Sequence, residues 1–289
     1  MLKLFTDTDC DVTPELAKEY GYSLISMPYA IDGKTVYPYE DFDTFDSKAF
    51  YDLLRAGAIP NTSAISRERY VAAFEPVFAA GDDILYVHFS RAMTATFDAM
   101  DQAVQELLQK YPERRFYDID TKGITIISLN IVLEVGDMVK AGKPVEEIME
   151  WAKTEVDHFA IYFFADDLKF FKHSGRVSGL AALMGTLIGV RPIIYMSAEG
   201  KMVSIGSEHG RPRAIARLLK YVEELGDDIR GHRVIVGHTD APQIAEEVAN
   251  RLRAQYGDDL DLMLVPVNPT TGGHCGPNGV GICFHAIHR

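Results

Sequence analysis

The sequence of 289 residues predicts an α/β fold built from two domains. Short apolar runs of strand length alternate along the chain with amphipathic segments of helix length, and this alternation is typical of parallel βαβ units. The turn pairs Asp32-Gly33 and Glu199-Gly200 predict hairpins, and these hairpins favour a mixed sheet in the second half of the chain. A chain of this length also matches about two domains of ordinary size.

The bounds of the individual elements follow from capping and stop signals. Thr13-Pro14 supplies an N-cap and a first-turn proline for a helix that ends at Tyr20, and Pro112 ends the helix that precedes it. We predict strands at residues 2–8, 22–31, 34–37, 83–89, 115–119, 158–164, 191–196, 202–206, 233–238, 262–267 and 280–286. We predict helices at residues 14–20, 46–57, 66–81, 94–111, 124–141, 145–156, 167–172, 213–225 and 242–256.

We place the domain boundary near Asp157, so that residues 1–157 form an N-terminal α/β domain and residues 158–289 form a C-terminal α/β domain. The alternation of strands and helices starts again at this point. The chain shows no shift in composition, no linker rich in proline or serine and no repeat of solenoid length. The predicted boundary therefore rests on the order of the elements alone.

Composition excludes several classes of protein. Hydrophobic residues make up 47% and charged residues 25% of the chain, which excludes a disordered chain, a collagen and a disulfide scaffold. The 29 basic and 42 acidic residues give a net charge of −13, which disfavours nucleic acid as a partner. Three cysteines without a CxxC pair fit a reducing compartment. Without an apolar segment long enough for a membrane span or a signal peptide, we expect a soluble cytoplasmic protein.

The sequence patterns of common enzyme classes are incomplete. Gly33-Lys34-Thr35 resembles the end of a phosphate-binding Walker loop, but Pro28 stands where that loop needs its first glycine. His285-x-x-His288 has a spacing that a metal could use, but no carboxylate lies near it in the sequence, so we expect no metal site. The pair His274-Cys275 is a poor nucleophile and base, because adjacent residues on a loop seldom align for that chemistry.

Two loops place hydroxyl groups beside the start of a predicted helix. They are residues 61–66 (NTSAIS) and residues 90–96 (SRAMTAT). Free N–H groups at a helix start carry partial positive charge, so both loops suit a carboxylate or phosphate. The second loop also follows the carboxyl end of a buried strand, where α/β sheets usually bind ligands. Simple helix capping by Ser66 and Thr94 is the alternative explanation.

Two further segments contain glycine next to a polar or charged side chain. Residues 270–281 hold five glycines, which predicts an irregular loop whose backbone approaches another group closely. His274 in this loop is either a ligand-binding group or a structural hydrogen-bonding group. Residues 172–179 place Arg176 in a glycine-flanked turn, where it either belongs to a site or is merely solvated.

Seven short segments follow one another in a fixed order along nearly the whole chain. They are TDTDCD near the start, NTSAIS around residue 62, FSRAMTATFDA at 89–99, IDTKGITI at 119–126, FADDLKFFKHSGRVSG at 164–179, SEHGRPRAI at 207–215 and GHCGPNGVGI at 273–282. In this order and spacing the chain resembles the DegV family of bacterial fatty-acid-binding proteins. The resemblance implies a two-domain α/β fold with a fatty acid held in a cleft and tunnel between the domains.

The resemblance also implies a set of ligand-binding residues. Thr62 falls on the family's TS motif and Thr94 on the first position of its SGT motif, so both would bind the acyl carboxylate together with His274. Thr94-Ala95-Thr96 replaces Ser-Gly-Thr, and Asn278 stands where the family commonly has glycine. The supporting residues would be Ser63, Ser90, Thr96 and Gly276. The N-terminal domain would thus carry the carboxylate loops, and the C-terminal domain a mixed sheet and a glycine-rich loop with His274.

Other positions concern a partner and the acyl tunnel. Arg176 falls on the family's GGR turn, and Arg176, His209 and Arg211 would face a kinase subunit. His209 replaces the first basic residue of the family's basic segment, which puts that contact in question. Larger side chains replace small ones in the helix after residue 123 and would shorten or redirect the tunnel if they face it. These side chains are Ile126, Ile127 and Leu129.

The resemblance implies a carrier that binds a long-chain fatty acid, needs no cofactor and is not catalytic by itself. Such a carrier presents the acyl carboxylate to a separate ATP-dependent kinase subunit, which forms the acyl phosphate. A small-substrate phosphotransferase related to dihydroxyacetone kinases is the alternative, since that fold is similar, although the sequence has no nucleotide loop. A regulatory or interaction protein is a third hypothesis.

Overall fold

The computed structural model describes residues 1–180 and 189–289, and it confirms the α/β class. The strands in this part are β1 (Leu2–Asp7), β2 (Tyr22–Ile25), β3 (Tyr29–Ile31), β4 (Lys34–Val36), β5 (Asn61–Thr62), β6 (Asp83–His88), β7 (Phe116–Asp120), β8 (Phe159–Phe164), β9 (Val177–Ser178), β10 (Val190–Met196), β11 (Met202–His209), β12 (Val234–His238), β13 (Leu262–Pro266) and β14 (Val280–His285). The α-helices are α1 (Pro14–Tyr20), α2 (Ser47–Arg55), α3 (Arg67–Ala79), α4 (Thr96–Lys110), α5 (Ile126–Lys140), α6 (Val145–Glu155), α7 (Leu168–Ser174), α8 (Arg211–Leu225), α9 (Pro242–Tyr256) and α10 (Pro269–Cys275).

Four strands form a parallel sheet in the order β2-β1-β6-β7. Every residue of β6 after the first is buried, as expected of a parallel strand covered on both faces. The carboxyl ends of β1, β6 and β7 lie at one edge, because these strands run in the same direction. That edge is where open α/β sheets usually bind ligands.

Seven strands form a mixed sheet in the order β13-β12-β14-β8-β10-β11-β9. β14 lies antiparallel between β12 and β8, and β10 and β11 form the hairpin predicted around Glu199-Gly200. β13 runs parallel to β12. The prediction of a mixed sheet in the second half of the chain is therefore confirmed.

A small antiparallel sheet in the order β4-β3-β5 corrects one predicted strand. Asp32 and Gly33 turn between β3 and β4 with φ of 51° and 75°, the left-handed conformation that a two-residue hairpin requires. The continuous strand predicted over residues 22–31 is wrong, since β2 ends at Ile25 and joins the parallel sheet instead. Pro28 lies in the break, and proline has no N–H for a strand ladder.

Helix α5 connects the two large sheets through a shared core. It is apolar on most of its surface, with ten of its residues buried. The Tyr22 hydroxyl donates to the Val132 carbonyl at 2.8 Å, and Asn130 Nδ2 donates to the Arg233 carbonyl at 2.9 Å. Side chains from both sheets, such as Phe5 and Ile235, belong to the same hydrophobic cluster. α5 therefore fixes one sheet against the other.

The strands of the parallel sheet end at Asp120, and those of the mixed sheet begin at Phe159. The boundary proposed near Asp157 falls between them. Within the two described ranges, no helix combines the length and the apolar character needed to cross a membrane.

The glycine-rich segment predicted as an irregular loop is partly wrong, because residues 269–275 form helix α10. The Asn268 side chain caps this helix by accepting the Thr271 N–H at 2.9 Å, and Pro269 fills its first turn. The close backbone approach that glycine suggested is internal packing: Gly272 lies against the Tyr51 hydroxyl and Gly273 against Pro60. These two glycines therefore let α10 pack tightly against neighbouring side chains.

Candidate functional site

A cavity of about 200 Å³ opens at the carboxyl edge of the parallel sheet, between that edge, α10 and the mixed sheet. Six of the ten site residues singled out from the sequence line it, namely Thr62, Ser63, Thr94, Thr96, Arg176 and His274. They come from four segments that are far apart in the chain, and the fold brings them together. We call this space the polar cavity.

Thr62 and His274 form a direct pair in the polar cavity. Their Oγ1 and Nε2 atoms are 3.1 Å apart, and the donor depends on the histidine tautomer. Burial lowers the pKa of His274 to about 4, and the Arg176 guanidinium and His173 add to this effect. His274 is therefore a neutral hydrogen-bonding group at neutral pH and contributes no positive charge.

Thr94 and Thr96 also line the polar cavity. The Thr94 hydroxyl oxygen accepts the Thr96 N–H at 3.1 Å, so its own proton is available to donate. Thr96 is buried, and its hydroxyl oxygen accepts the Ile65 N–H at 3.2 Å and lies 3.3 Å from the Tyr70 hydroxyl. Thr96 thus fixes the loop of residues 61–66 to the start of α4, while Thr94 faces the cavity. Ser66, the other predicted cap, makes no side-chain capping bond.

Ser90 and Gly276 line neither the polar cavity nor the apolar cavity described below. Both instead contribute to the packing and conformation of the surrounding backbone. The buried Ser90 hydroxyl donates to the Gly200 carbonyl at 2.8 Å and accepts the Ala92 N–H at 3.2 Å. Gly276 has φ of 73° and ψ of 173°, a conformation that is essentially restricted to glycine. A Cβ at Gly276 would also overlap the ring of Phe170.

Two of the three residues expected to face a partner lie away from the polar cavity. Arg211 donates to Asp166 at 2.9 Å, and His209 pairs with Val190 at the end of β11. Arg176 lines both the polar cavity and a surface recess around Gly175 and Lys201. Arg176 therefore marks the mouth of the cavity.

The aspartates of the TDTDCD segment form a buried group that sequence reasoning missed. Asp7 accepts the Tyr86 hydroxyl and the Phe89 N–H, each at 3.2 Å. Asp11 Oδ1 accepts two hydrogen bonds from Asn268, at 2.7 and 2.8 Å. Burial raises the pKa of Asp7 to about 6 and that of Asp11 to about 7. The polar residues of this segment do not indicate burial, and only its position at the end of a predicted strand could have suggested it.

A second, apolar cavity of about 50 Å³ adjoins the polar one and extends toward the mixed sheet. The two spaces share Ile124, Met202 and Thr271 in their linings. We call this space the apolar cavity. Cys275 lines it, and burial, with the Asp11 carboxylate nearby, raises the pKa of its thiol to about 12. The thiol is therefore protonated at neutral pH and is not an activated nucleophile.

The carboxy-terminal histidines are placed differently from what their sequence spacing suggests. His285 is buried rather than solvated, and its ring nitrogens lie 3.5 Å from Glu155 and 3.7 Å from Asp227. No carboxylate lies near these histidines in the sequence, but the fold brings two carboxylates close to His285. Even so, no group of three or more potential ligands converges on a metal position in the described part of the chain.

Comparisons with known proteins extend over nearly all of this chain. The family model described as "Uncharacterised protein, DegV family" matches residues 1–286. The DegV domain-containing protein CPE0026 of Clostridium perfringens is 29% identical over 285 residues, which cover 97% of this chain and 96% of that protein.

Two solved structures show that the fold is shared. A DegV family protein from Thermus thermophilus, described by its fatty acid binding, matches with a TM-score of 0.86 at 19% identity over 99% of both chains. A stearic-acid-binding protein from Eubacterium ventriosum matches with a TM-score of 0.84 at 21% identity, over 98% of this chain and 97% of the other. Together with the family match over residues 1–286, these findings show that the chain belongs to the DegV family.

Proposed function

We propose that this protein binds a fatty acid, with the carboxylate in the polar cavity and the acyl chain in the apolar cavity. The observation that carries the proposal is that the two spaces adjoin each other and share Ile124, Met202 and Thr271 in their linings. One end offers hydroxyls and a neutral imidazole, and the other offers hydrocarbon. The fatty-acid binding described for structural relatives supports the same conclusion.

The energetics suit a fatty acid better than a small polar substrate. Each buried methylene contributes about 0.8 kcal/mol, so burial of even part of an acyl chain contributes several kcal/mol before the costs of binding. The carboxylate then needs only enough hydrogen bonds to replace those it made with water. Thr62, Thr94 and His274 supply such groups in the lining of the polar cavity.

The proposal extends to presentation of the carboxylate to a separate ATP-dependent kinase subunit. Arg176 is exposed at the mouth of the polar cavity, so a carboxylate held there remains within reach of a second protein. His209 and Arg211 are the further candidates for contact with that subunit. All three cysteines are free, which supports a cytoplasmic location for this step.

Extraction of the purified protein with organic solvent tests the binding proposal. We expect a fatty acid in equimolar amount, identified by mass spectrometry, and rebinding of palmitate or oleate by the delipidated protein. Protein that yields no lipid and binds neither acid would contradict the proposal.

An assay for acyl phosphate tests the kinase proposal. We expect no product from this chain with ATP alone and product once a cognate kinase subunit is added. Arg176→Ala should lower the rate even when the protein is saturated with fatty acid, whereas Lys172→Ala, which removes an exposed cation on the same segment outside the cavity lining, should not. Turnover without the partner would refute the carrier role, and an unchanged rate in Arg176→Ala would remove this residue from the contact.

A further inference from the structure

Two glycines lie side by side on neighbouring strands of the mixed sheet. Gly237 of β12 pairs directly with Gly281 of β14, and Gly281 pairs on its other side with Phe163 of β8. Ile235 and Cys283, two residues away on each strand, belong to the core packed against α5. Since side chains alternate along a strand, the missing side chains of the glycine pair also face α5. The pair leaves a hollow in the sheet at this point.

Ile126, at the start of α5, lies over that hollow. Its Cγ2 would be 2.7 Å from a Cβ placed on Gly237, so the side chain reaches the glycine backbone itself. Ile126 is fully buried and lines the apolar cavity together with Gly237 and Gly281. Because its side chain is β-branched and buried against this backbone, it has little rotamer freedom with which to move aside. The hollow is thus closed by a stiff side chain.

The neighbouring Ile127 has a different environment. Its side chain packs against Gly123, where an added Cβ would be 2.6 Å from Ile127 Cγ2, and it does not line the apolar cavity. Leu129 is likewise buried outside that lining. Of the three large residues noted in this helix from the sequence, only Ile126 faces the acyl path.

The position of Ile126 relative to the polar cavity gives it a role in specificity. Ile124 and Met202 stand at the junction of the two cavities, whereas Ile126, Gly237 and Gly281 line only the apolar one. An acyl chain that enters from the carboxylate end therefore meets Ile126 after passing the junction. We propose that Ile126 ends the acyl path above the Gly237–Gly281 pair and so sets the longest fatty acid that the protein binds well. This inference rests on the proposed binding function.

Binding of a series of saturated acids tests the inference. Delipidated protein would be titrated with each saturated straight-chain acid, odd-numbered ones included, from octanoic to octadecanoic acid. For the wild type we expect the dissociation constant to fall about fourfold per added methylene until the chain reaches Ile126, and then to stop falling. We call the acid at which it stops falling the break. Ile126→Ala should move this break to an acid about two carbons longer, and Ile126→Val should move it less in the same direction.

Ile127→Ala is the matched control, because it removes the same atoms from the next residue of the same helix. In this variant the dissociation constant should stop falling at the same acid as in the wild type, even if the variant has a lower melting temperature. A break that does not move in Ile126→Ala, or that moves equally in Ile127→Ala, would overturn the assignment while leaving fatty-acid binding established. A wild type that binds no acid of any length would instead overturn the proposed function, and the assignment with it.

Discussion

The proposed carboxylate site lies against buried acidic residues, so its affinity for an anion depends on their protonation. Asp9 lines the polar cavity and is 6% exposed. Burial, with the carboxylates of Asp7 and Asp11 nearby, raises the pKa of Asp9 well above its ordinary value. A high pKa favours the neutral acid, which does not repel a bound carboxylate. The guanidinium of Arg176 then supplies the positive charge of the cavity lining.

Removal of the two threonine hydroxyls should weaken fatty-acid binding. Thr62→Val and Thr94→Val keep the shape of each side chain but leave a carboxylate oxygen without a partner, at a cost of about 1–3 kcal/mol. We expect each variant to raise the dissociation constant for palmitate about tenfold in a titration of delipidated protein. The conservative variants Thr62→Ser and Thr94→Ser should restore most of the affinity.

Ser66→Ala is a suitable control for the threonine variants. Ser66 belongs to the same loop as Thr62, is exposed and makes no capping bond through its side chain. Its affinity for palmitate should equal that of the wild type. If both valine variants also bound palmitate as the wild type does, the carboxylate would have to lie elsewhere.

At the scale of elements, the helices with local signals were predictable within a few residues. Thr13 caps α1 by accepting the Leu16 N–H at 3.3 Å, and Pro14 occupies the first turn. Gly21 ends that helix in the left-handed conformation, with φ of 75°. Capping and termination depend on a few adjacent residues, so the sequence contains the whole signal.

Elements whose conformation depends on distant contacts were not predictable in the same way. Helix α10 contains Gly272 and Gly273, which have poor intrinsic helix propensity, and it is held by packing against Tyr51, Pro60 and other side chains remote in sequence. Burial of Asp9 depends in the same way on Thr271, whose hydroxyl lies 3.4 Å from its carboxylate. These contacts join residues that are far apart in the sequence, so a short stretch of sequence does not reveal them.

The candidate site was predictable to the extent that its loops carry recognisable motifs. Six of ten chosen residues line the polar cavity. Ser90 and Gly276 sit within the same motifs but support the backbone, and a motif does not distinguish these two roles. The choice between Ile126 and Ile127 as a cavity residue was also undecidable from sequence, because it depends on the rotation of α5 against the mixed sheet.

At the scale of the whole molecule, the end of the chain joins the two large sheets. The side chain of Arg289 donates to the Thr121 carbonyl at 2.9 Å and to the Val156 carbonyl at 2.7 Å, and it also donates to the Lys122 carbonyl. Burial lowers the pKa of this guanidinium to about 10. Its hydrogen bonds satisfy carbonyls in the loop after β7 and at the end of α6. Arg289 thus complements α5 in fixing the arrangement of the sheets.

Buried acids should also make the stability of the whole protein depend on pH. The pKa of Asp11 is about 7 in the folded protein, against an ordinary value of 3.8, so between these values the folded state keeps a proton that the unfolded chain has lost. The free energy of unfolding should therefore rise as pH falls from about 7 toward 4, by up to about 1.4 kcal/mol per pH unit for such a group. Asp7, with a pKa of about 6, acts in the same direction.

Urea denaturation between pH 8 and pH 5 in wild type and Asp11→Asn would measure the contribution of Asp11. Asparagine tolerates the left-handed backbone at this position, where φ is 55°, and it keeps an oxygen that can accept the hydrogen bonds from Asn268. We expect the variant to lose much of the stabilisation that the wild type gains on acidification. Asp32→Asn, at an exposed hairpin position with φ of 51°, should follow the wild-type profile. Parallel profiles for wild type and Asp11→Asn would show that Asp11 releases its proton equally in both states and does not link folding to pH.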